Sequence, residues 1–218
     1  MLGIHVSVPI ACFRKGMARE YLETDQIPPP STCYGFLLSL VGEPDRERHK
    51  GVRISPVLLS HPEQSVVLRT VWRVKTRKKP LGSGDNIRPD YQQLLTGIRL
   101  IIWLDSSEEE HSRGTTLEER VQIALSPNER HKIDRFGGLS LGESTHLVDE
   151  VSLYQPQETV SSEESKRAVI LLEDPNGLYA WPVWVDHVGA EKTRYVTGSL
   201  IPGGLLPPLL TKMPRIHS

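Results

Sequence analysis

The succession of strand-like and helix-like hydrophobic patterns constrains the fold of this chain more than any other feature of its sequence. Apolar residues alternate with small or polar ones over residues 3–8, the period of a half-buried strand. In segment 27–42, three prolines precede Ser31 and Thr32, either of which suits an N-cap, and apolar residues then recur at helical spacing up to a glycine. The N-terminal part therefore predicts a strand followed by a helix.

Two more strand patterns come next. Segments 52–60 and 65–76 have strand character and are joined by the turn-like residues 61–64, which predicts a β-hairpin. Residues 77–90 are rich in Gly, Pro, Asn and Asp and predict a loop that projects from the body. The nearly continuous apolar run 97–105 predicts a buried strand.

A second helix and a further strand complete the pattern. Thr116 and Glu119 have the spacing of a capping box, and apolar residues after them line one helical face. Residues 144–154 return to strand-like spacing. The resulting order β-α-β-β-α-β predicts an α+β fold of the ferredoxin-like type, with both helices on one face of the sheet.

The final part of the chain differs in composition. From about residue 155 a polar stretch leads into two short apolar segments and a tail rich in Pro, Gly and Leu, which indicates two or three strands. We therefore expect a ferredoxin-like domain over residues 1–154, with an insertion at about 69–96, and a small β-rich C-terminal region over residues 155–218.

Composition excludes several classes of protein. With 26 basic and 27 acidic residues the net charge is −1, unlike a strongly basic, free-standing nucleic-acid binder. Cys12 and Cys33 have neither disulfide nor metal-site spacing, and the histidines form no metal motif. The N-terminus does not resemble a signal peptide, and no apolar run approaches the about 20 residues of a membrane span. We expect a cytoplasmic protein with no membrane contact, metal or cofactor.

Basic residues are concentrated in one segment. Six lie between positions 69 and 79 with no acidic residue among them, and Arg88 follows on the same predicted loop. Arg14 and Lys15 follow the first strand. Such a block offers several contacts to phosphates, although a merely solvated hairpin has the same composition.

A glycine-rich segment, 135–144, contains a match to the G-x-S-x-G pattern with Ser140 at its centre. A hydrolase nucleophile at this position needs a strand before it and a helix after it, whereas the predicted order here is reversed. No Lys-Ser/Thr pair follows the glycines, so a Walker phosphate loop is excluded. The segment is left as a tight turn or as a loop whose backbone approaches an anion or another backbone closely.

Three segments together resemble a known family. Residues 11–43 (ACFRKGMAREYLETDQIPPPSTCYGFLLSLVGE), 88–104 (RPDYQQLLTGIRLIIWL) and 135–144 (RFGGLSLGES) resemble, in this order, the Cas five family of CRISPR interference complexes, and within it the DevS branch. The resemblance covers roughly positions 11–144. It implies a RAMP-superfamily protein: a ferredoxin-like domain with a projecting β-hairpin thumb, a glycine-rich loop after the second helix and a variable C-terminal region.

The resemblance also implies a function. In this family the subunit caps one end of the Cascade complex and grips the 5′ handle of the crRNA. Its thumb packs on the backbone subunit Cas seven, its body meets the large subunit Cas eight, and target DNA is contacted only through the complex. Target degradation and RNA-guided transposition need the same handle grip, so these residues favour neither.

The residues expected to contact RNA come from the basic block, the segment after the first strand and the glycine-rich segment. They are Arg14, Lys15, Arg73, Lys75, Arg77, Lys78, Arg88, Arg135, Gly137, Gly138, Ser140 and Gly142. Positions 73–88 correspond to the thumb. In this interpretation Ser140 is a loop residue near RNA, and no residue is catalytic.

A different function is an endoribonuclease that processes precursor crRNA, an activity of some family members. Metal-free RNA cleavage needs a base for the 2′-hydroxyl and a cation for the phosphorane. His131 and Lys132 with Tyr34 or Tyr21 are the candidates. The DevS branch resembles systems in which a separate subunit cuts, which favours the non-catalytic interpretation. A stand-alone single-strand binder is disfavoured because the first strand lacks a row of stacking aromatics.

Overall fold

One large β-sheet organises the chain, and few helices accompany it. The computed structural model describes residues 1–16, 18, 21–72, 74–110, 114–156, 160–186 and 191–218. Nine of the described strands form this sheet, and all but one of the strand pairs in it are antiparallel. The protein is thus a mixed α and β structure dominated by its sheet.

The strands are β1 (Leu2–Ala11), β2 (Phe13–Arg14), β3 (Tyr21–Leu22), β4 (Thr24–Asp25), β5 (Arg53–Leu58), β6 (Glu63–Trp72), β7 (Ile87–Asp105), β8 (Glu150–Leu153), β9 (Val169–Glu173), β10 (Tyr179–Trp184) and β11 (Arg194–Pro202). The helices are α1 (Pro30–Leu40), α2 (Leu117–Leu125) and α3 (Ser162–Arg167). Short 3-10 helices lie at Gly84–Asn86, Arg130–Lys132 and Leu210–Lys212. The large sheet runs in the order β10-β11-β9-β5-β7-β1-β8, and β3 and β6 also pair with β7. The parallel pair is β3 with β7. The two short strands β2 and β4 pair with each other outside the large sheet.

The central strand β7 is buried on both faces over residues 100–105. Leu100 and Ile102 belong to a core cluster that includes residues of α1 and α2, whereas Ile101 and Trp103 pack on Ala168, Met213 and their neighbours. A strand covered on both faces has no polar side. This explains the continuous apolar run in the sequence and confirms the predicted buried strand.

Both predicted helices form, but only one has the predicted cap. In α2 the Thr116 hydroxyl accepts from the Glu119 amide at 3.2 Å, and the Glu119 carboxylate accepts from the Thr116 amide at 2.8 Å, which confirms the capping box. In α1 the N-cap is Pro29, not Ser31 or Thr32, and it makes no side-chain bond. Pro30 at the first helical position has no N–H to satisfy and a pre-set φ, so the helix begins earlier than a hydroxyl cap would allow.

The predicted hairpin between segments 52–60 and 65–76 is wrong. β5 and β6 do not pair with each other; both pair with β7, at residues 100–105 and 87–96 respectively. A turn-like sequence between two strands indicates a reversal, but here the 19-residue β7 offers both strands one long edge. We call residues 63–96, formed by β6, the first half of β7 and their connection, the arm.

Two further predictions change in extent. The loop predicted at 77–90 ends earlier, because β7 begins at Ile87. Of the strand predicted at 144–154, only Glu150–Leu153 is a strand, and it pairs with β1. In the rest of that segment Leu147 forms only an isolated bridge, with Ser140.

The C-terminal region forms the three strands β9, β10 and β11. They continue the large sheet, because β9 pairs with β5 at Val57 and Leu58. The division of the chain at residues 154 and 155 stays a prediction. Within the described part of the chain, no helix combines the length and the apolar character that a membrane crossing requires.

Candidate nucleic-acid interface

Three segments distant in sequence meet where β1 ends. The first is the chain after β1, at residues 12–16 and 21–25, the second is strand β6 of the arm, and the third is residues 135–147, which we call the glycine loop. The Cys12 amide donates to Nδ1 of His146 at 3.1 Å, and Arg69 of β6 forms an ion pair with Glu143 at 3.3 Å. The glycine loop is therefore bonded both to the end of β1 and to the arm.

The glycine loop folds as a small hairpin of its own. The Val148 amide donates to the Leu139 carbonyl at 2.9 Å, and the Leu141 amide donates to the His146 carbonyl at 3.1 Å. Ser140 lies opposite Leu147 in an isolated antiparallel bridge, and the Leu141 side chain is fully buried in the core. Ser140 thus lies in a hairpin preceded by a 3-10 helix, not in a turn from strand to helix, which removes the geometric basis for a hydrolase nucleophile.

The three glycines of the loop have different surroundings. Gly142 has φ +93°, and a Cβ there would lie 2.7 Å from the carbonyl oxygen of Cys12, so only glycine fits against that backbone. Gly137 also has a positive φ, but a Cβ there would meet nothing, and at Gly138 it would meet only the Leu147 side chain. Gly142 therefore allows close backbone packing, whereas Gly137 and Gly138 leave exposed backbone uncovered.

The residues flanking these glycines are exposed. The Arg135 guanidinium donates to the Gly137 carbonyl at 2.9 Å, which holds the turn. Phe136 is fully exposed. A phenylalanine in this position was not among the predicted site residues. The signal that could have revealed it is an aromatic residue inside a charged segment directly before two glycines.

The basic residues after β1 lie beside the glycine loop. Arg14 is in β2 and donates through Nε and Nη2 to the Ala18 carbonyl, and the Lys15 ammonium lies 3.7 Å from the Glu23 carboxylate. Both side chains are exposed, whereas Phe13 between β1 and Arg14 is buried in the core. The structure thus brings Arg14 and Lys15 to the same end of β1 as Gly142.

The arm carries the largest group of predicted residues. Lys75, Arg77 and Lys78 are exposed at the tip, and none of the three forms an ion pair with a described residue. Arg88 is paired with Asp90 across two residues of β7. Arg73, also predicted to contact RNA, lies outside the described residues.

One buried side chain holds the tip together. Asn86 is fully buried; its Oδ1 accepts from the amides of Lys75 and Thr76, both at 2.9 Å. Its Nδ2 donates to the carbonyls of Thr76, Lys79 and Pro80. A single side-chain amide thus satisfies five backbone groups of the loop. These bonds order the tip, which carries the exposed basic side chains.

The two faces of the arm differ in polarity. Residues directly opposite each other in an antiparallel pair share a face. One face carries Arg69 opposite Asp90 and lies against the glycine loop. The other carries exposed apolar side chains: Val66, Leu68, Trp72, Ile87 and Tyr91. Sequence reasoning missed this apolar face, which was visible as alternate apolar residues in segment 66–72.

The candidate ribonuclease residues are not assembled. Tyr34 is buried, donates to the Arg46 carbonyl at 2.7 Å, and has its pKa raised by burial. His131 and Lys132 are exposed in a 3-10 helix, where Lys132 pairs with Glu129 at 2.6 Å. No hydrogen bond or ion pair among the described residues joins His131 or Lys132 to Tyr34 or Tyr21. In that same part of the chain, no group of three or more His, Cys, Asp or Glu side chains could hold a metal ion.

Comparison with solved structures identifies the type of fold. A chain described as "CRISPR RNA-guided surveillance complex" has a TM-score of 0.60 at 12% identity, over 92% of this chain and 90% of that chain. A chain described as "Crystal structure of Cas protein" has a TM-score of 0.51 at 15% identity, over 95% of this chain and 99% of that chain. The fold is thus one found among CRISPR-associated proteins.

Sequence comparison identifies the family. No family model matches the chain. A curated protein of Myxococcus xanthus (strain DK1622), described as "CRISPR-associated protein Cas5", is 46% identical over 216 residues, which is 99% of this chain and 97% of that protein. The chain belongs to the Cas5 family of CRISPR-associated proteins, which confirms the resemblance found in the sequence.

Proposed function

We propose that this protein is a non-catalytic subunit of a Cascade-type CRISPR complex and that it binds the 5′ handle of the crRNA. The observation that carries the proposal is the convergence of the glycine loop, the basic residues after β1 and the arm on one end of β1. Family membership supports the assignment to a Cascade component, as does a neighbouring fold described as an RNA-guided surveillance complex.

The architecture supports the family's expected layout. The strands β8, β1, β7 and β5 lie side by side and are all antiparallel, and α1 and α2 pack in the cluster on one face. This is the strand order of a ferredoxin-like domain. We assign these elements to that domain, the arm to the family's thumb, and residues 155–218 to the variable C-terminal region.

RNA binding follows from the chemistry of the exposed groups. Lys75, Arg77 and Lys78 offer cations to phosphates, and the uncovered backbone at Gly137 and Gly138 offers amides. Single-stranded RNA is further held by aromatic rings on which splayed bases stack. Phe136 is an exposed ring directly before these two glycines, and we assign it that role.

The apolar face of the arm fits a protein partner better than RNA. Contiguous exposed apolar side chains on a soluble protein mark interaction sites, and aromatic residues are enriched in the centres of such sites. We assign this face to the backbone subunit Cas seven and, as the resemblance implies, the body to the large subunit Cas eight. Target DNA is then contacted only through the assembled complex.

The test is neutralisation of the arm tip. The triple variant Lys75→Gln, Arg77→Gln and Lys78→Gln, in the complex assembled from co-expressed subunits, should bind crRNA more weakly at low salt. The slope of log Kd against log salt should fall by about 2, since each phosphate contact to a single strand contributes about 0.7. The matched control neutralises Lys166, Arg167 and Lys192, which are exposed in the C-terminal region. An unchanged slope in the tip variant, or equal changes in both variants, contradicts the proposal.

The ribonuclease remains the second candidate function, and only the resemblance favours it. The purified protein incubated with its repeat RNA should leave the RNA intact. Cleavage at one position that disappears in His131→Ala would establish the enzymatic function instead.

A further inference from the structure

A cavity of about 550 Å³ lies beside the proposed RNA-binding surface and is not used by it. It lies between the chain after β1 and the C-terminal strands β10 and β11, and its walls include Lys15, Gly16, Asp25, Tyr179, Trp181 and Tyr195. Its volume is within the range of about 300–1,000 Å³ typical of sites for small organic groups. Lys15 belongs to both the cavity and the proposed RNA-binding surface, so the two are continuous.

The walls of the cavity are rich in aromatic side chains. Tyr179 and Tyr195 are about half exposed, while Trp181 is buried with its ring centroid 6.0 Å from that of Tyr179. The Tyr195 hydroxyl would lie 3.1 Å from a Cβ at Gly16, so the missing side chain keeps this wall open to the ring. Partly exposed rings in a concave site suit a flat, unsaturated ligand.

The polar groups in the walls are one carboxyl group and one ammonium group. Asp25 ends β4 next to the cavity, and burial raises its pKa to about 6, against the partly offsetting charge of Lys15. At neutral pH the carboxylate is ionised and can only accept hydrogen bonds. Lys15, in contrast, can donate to a phosphate. The walls therefore present one acceptor, one cation and aromatic surface, with no net charge from these two groups.

We propose that this cavity captures one unstacked nucleobase of the bound RNA, held against Tyr179 and Tyr195, with an amino group of the base donating to Asp25. This inference rests on the proposed function, because that function supplies the RNA. Adenine, cytosine and guanine each carry an exocyclic amine on their pairing edge, and uracil does not. The site therefore takes an amino-bearing base and discriminates against uracil.

The same walls fit a protein side chain less well. An arginine or lysine of a partner subunit would meet the aromatic rings and Asp25 favourably, but it would also meet the like charge of Lys15. A nucleotide uses both charged groups, because its base has donors for Asp25 and its phosphate has a charge that attracts Lys15. The charge balance of the cavity thus favours a nucleotide.

The experiment is a double-mutant cycle in the assembled complex. It combines the removal of single bases from the crRNA with the substitution of single side chains of the cavity. Synthetic crRNAs, each with one abasic position in the 5′ handle, compete for the complex against the intact crRNA. One abasic position should weaken binding about ten-fold, a loss typical for one stacked base. Tyr179→Ala and Tyr195→Ala should weaken binding of intact crRNA by a similar factor and should add nothing on that abasic crRNA.

Conservative variants separate the roles of the groups. Tyr195→Phe removes only the hydroxyl and keeps the ring, so it should recover most of the binding that Tyr195→Ala loses. Asp25→Asn should lose the discrimination between the native base and uracil at the sensitive position. Glu23→Gln is the matched control, because Glu23 lies two residues away and pairs with Lys15 but does not line the cavity. It should retain that discrimination.

The outcomes distinguish this inference from the proposed function. If the abasic and tyrosine effects multiply at every position, or if Glu23→Gln acts like Asp25→Asn, the cavity does not hold a base. That result is compatible with crRNA binding that still depends on Lys75, Arg77 and Lys78. If the wild-type complex binds no crRNA, the proposed function itself fails. If free nucleoside monophosphates saturate the cavity while the cavity variants leave crRNA binding unchanged, the ligand is a free nucleotide. The inference is then also overturned.

Discussion

The two halves of β7 place apolar side chains in opposite environments. Over residues 100–104 the strand lies between β1 and β5, and its side chains are buried on both faces. Over residues 87–96 it pairs with β6 in the arm, where many apolar side chains are exposed. Gly97, with φ +69° and open space at its Cβ position, separates the halves. The second half of β7 is thus part of the core, and its first half is part of an exposed surface.

The difference shows how similar residue types acquire different roles. An apolar side chain in the buried half stabilises the folded state, because folding removes it from water. An exposed apolar side chain in the arm adds little to folding stability. It can instead stabilise a complex, when a partner removes it from water. Substitutions in the two halves should therefore separate stability from assembly, and the glycine loop, which joins the arm to the core, should show intermediate effects.

The largest effect is expected in the buried half. Ile102→Ala removes a fully buried side chain and should lower the free energy of unfolding by about 2–5 kcal/mol. Leu68→Ala, at a residue that is 61% exposed, should change it by less than about 0.5 kcal/mol but weaken assembly with the backbone subunit. Chemical denaturation and pull-down of the complex measure the two effects. Equal losses of unfolding free energy in the two variants would contradict the proposed difference between the two halves of β7.

The glycine loop should give the next largest effect. Gly142→Ala forces a Cβ against the Cys12 carbonyl at a positive φ and should cost about 2 kcal/mol of unfolding free energy. Gly138→Ala is the matched control, because its Cβ would meet only the movable end of Leu147. Both are measured by denaturation. Should Gly138→Ala destabilise as much as Gly142→Ala, close packing on Cys12 is not the reason for the glycine.

A smaller global effect is expected from the arm tip. Asn86→Ala leaves five backbone groups of the tip without their partner, yet none of the described residues 74–86 belongs to a core cluster. The free energy of unfolding should fall by about 1 kcal/mol, whereas hydrogen exchange at residues 74–86 should accelerate at least ten-fold. Asn176→Ala, in an exposed turn, should change neither quantity. Unaltered exchange at the tip would show that Asn86 does not order it.

The smallest effect concerns the bond between the glycine loop and β1. Nδ1 of His146 accepts from Cys12 only when it carries no proton, and burial, with Arg69, lowers the pKa of His146 below its ordinary 6.5 against the opposing effect of Glu143. This contribution to stability is present above pH 6.5 and is lost as the pH falls through the lower folded pKa. Hydrogen exchange at residue 12 should rise several-fold from pH 7 to pH 5, after correction for intrinsic rates. His146→Gln should remove this dependence, and its persistence there would assign the effect to another group.

The elements that sequence predicted well are those with local causes. The capping box of α2 lies within four residues, and the burial of segment 97–105 follows from its unbroken apolar composition. The family resemblance was also readable, because its segments lie in order along the chain. The exposure of Lys75, Arg77 and Lys78 follows from their charge, although their roles stay predictions.

The elements that sequence did not predict depend on distant partners. The hairpin assigned to β5 and β6 was wrong because both strands pair with β7, whose length no local pattern revealed. The buried role of Asn86 depends on a loop that closes around it. The cavity beside Lys15 combines Asp25 with Tyr179 and Tyr195, about 150 residues further along the chain.

The sequence by itself determined the periodicities, the cap of α2, the positions of the charges and the family. Each is a property of neighbouring residues or of their order, and so is independent of how the chain closes on itself. Only the tertiary structure decided which glycine is needed for packing on Cys12, which face of the arm remains apolar and exposed, and which aromatic residues surround Asp25. These depend on contacts between segments far apart in the chain, and such contacts are fixed only when the whole sheet forms.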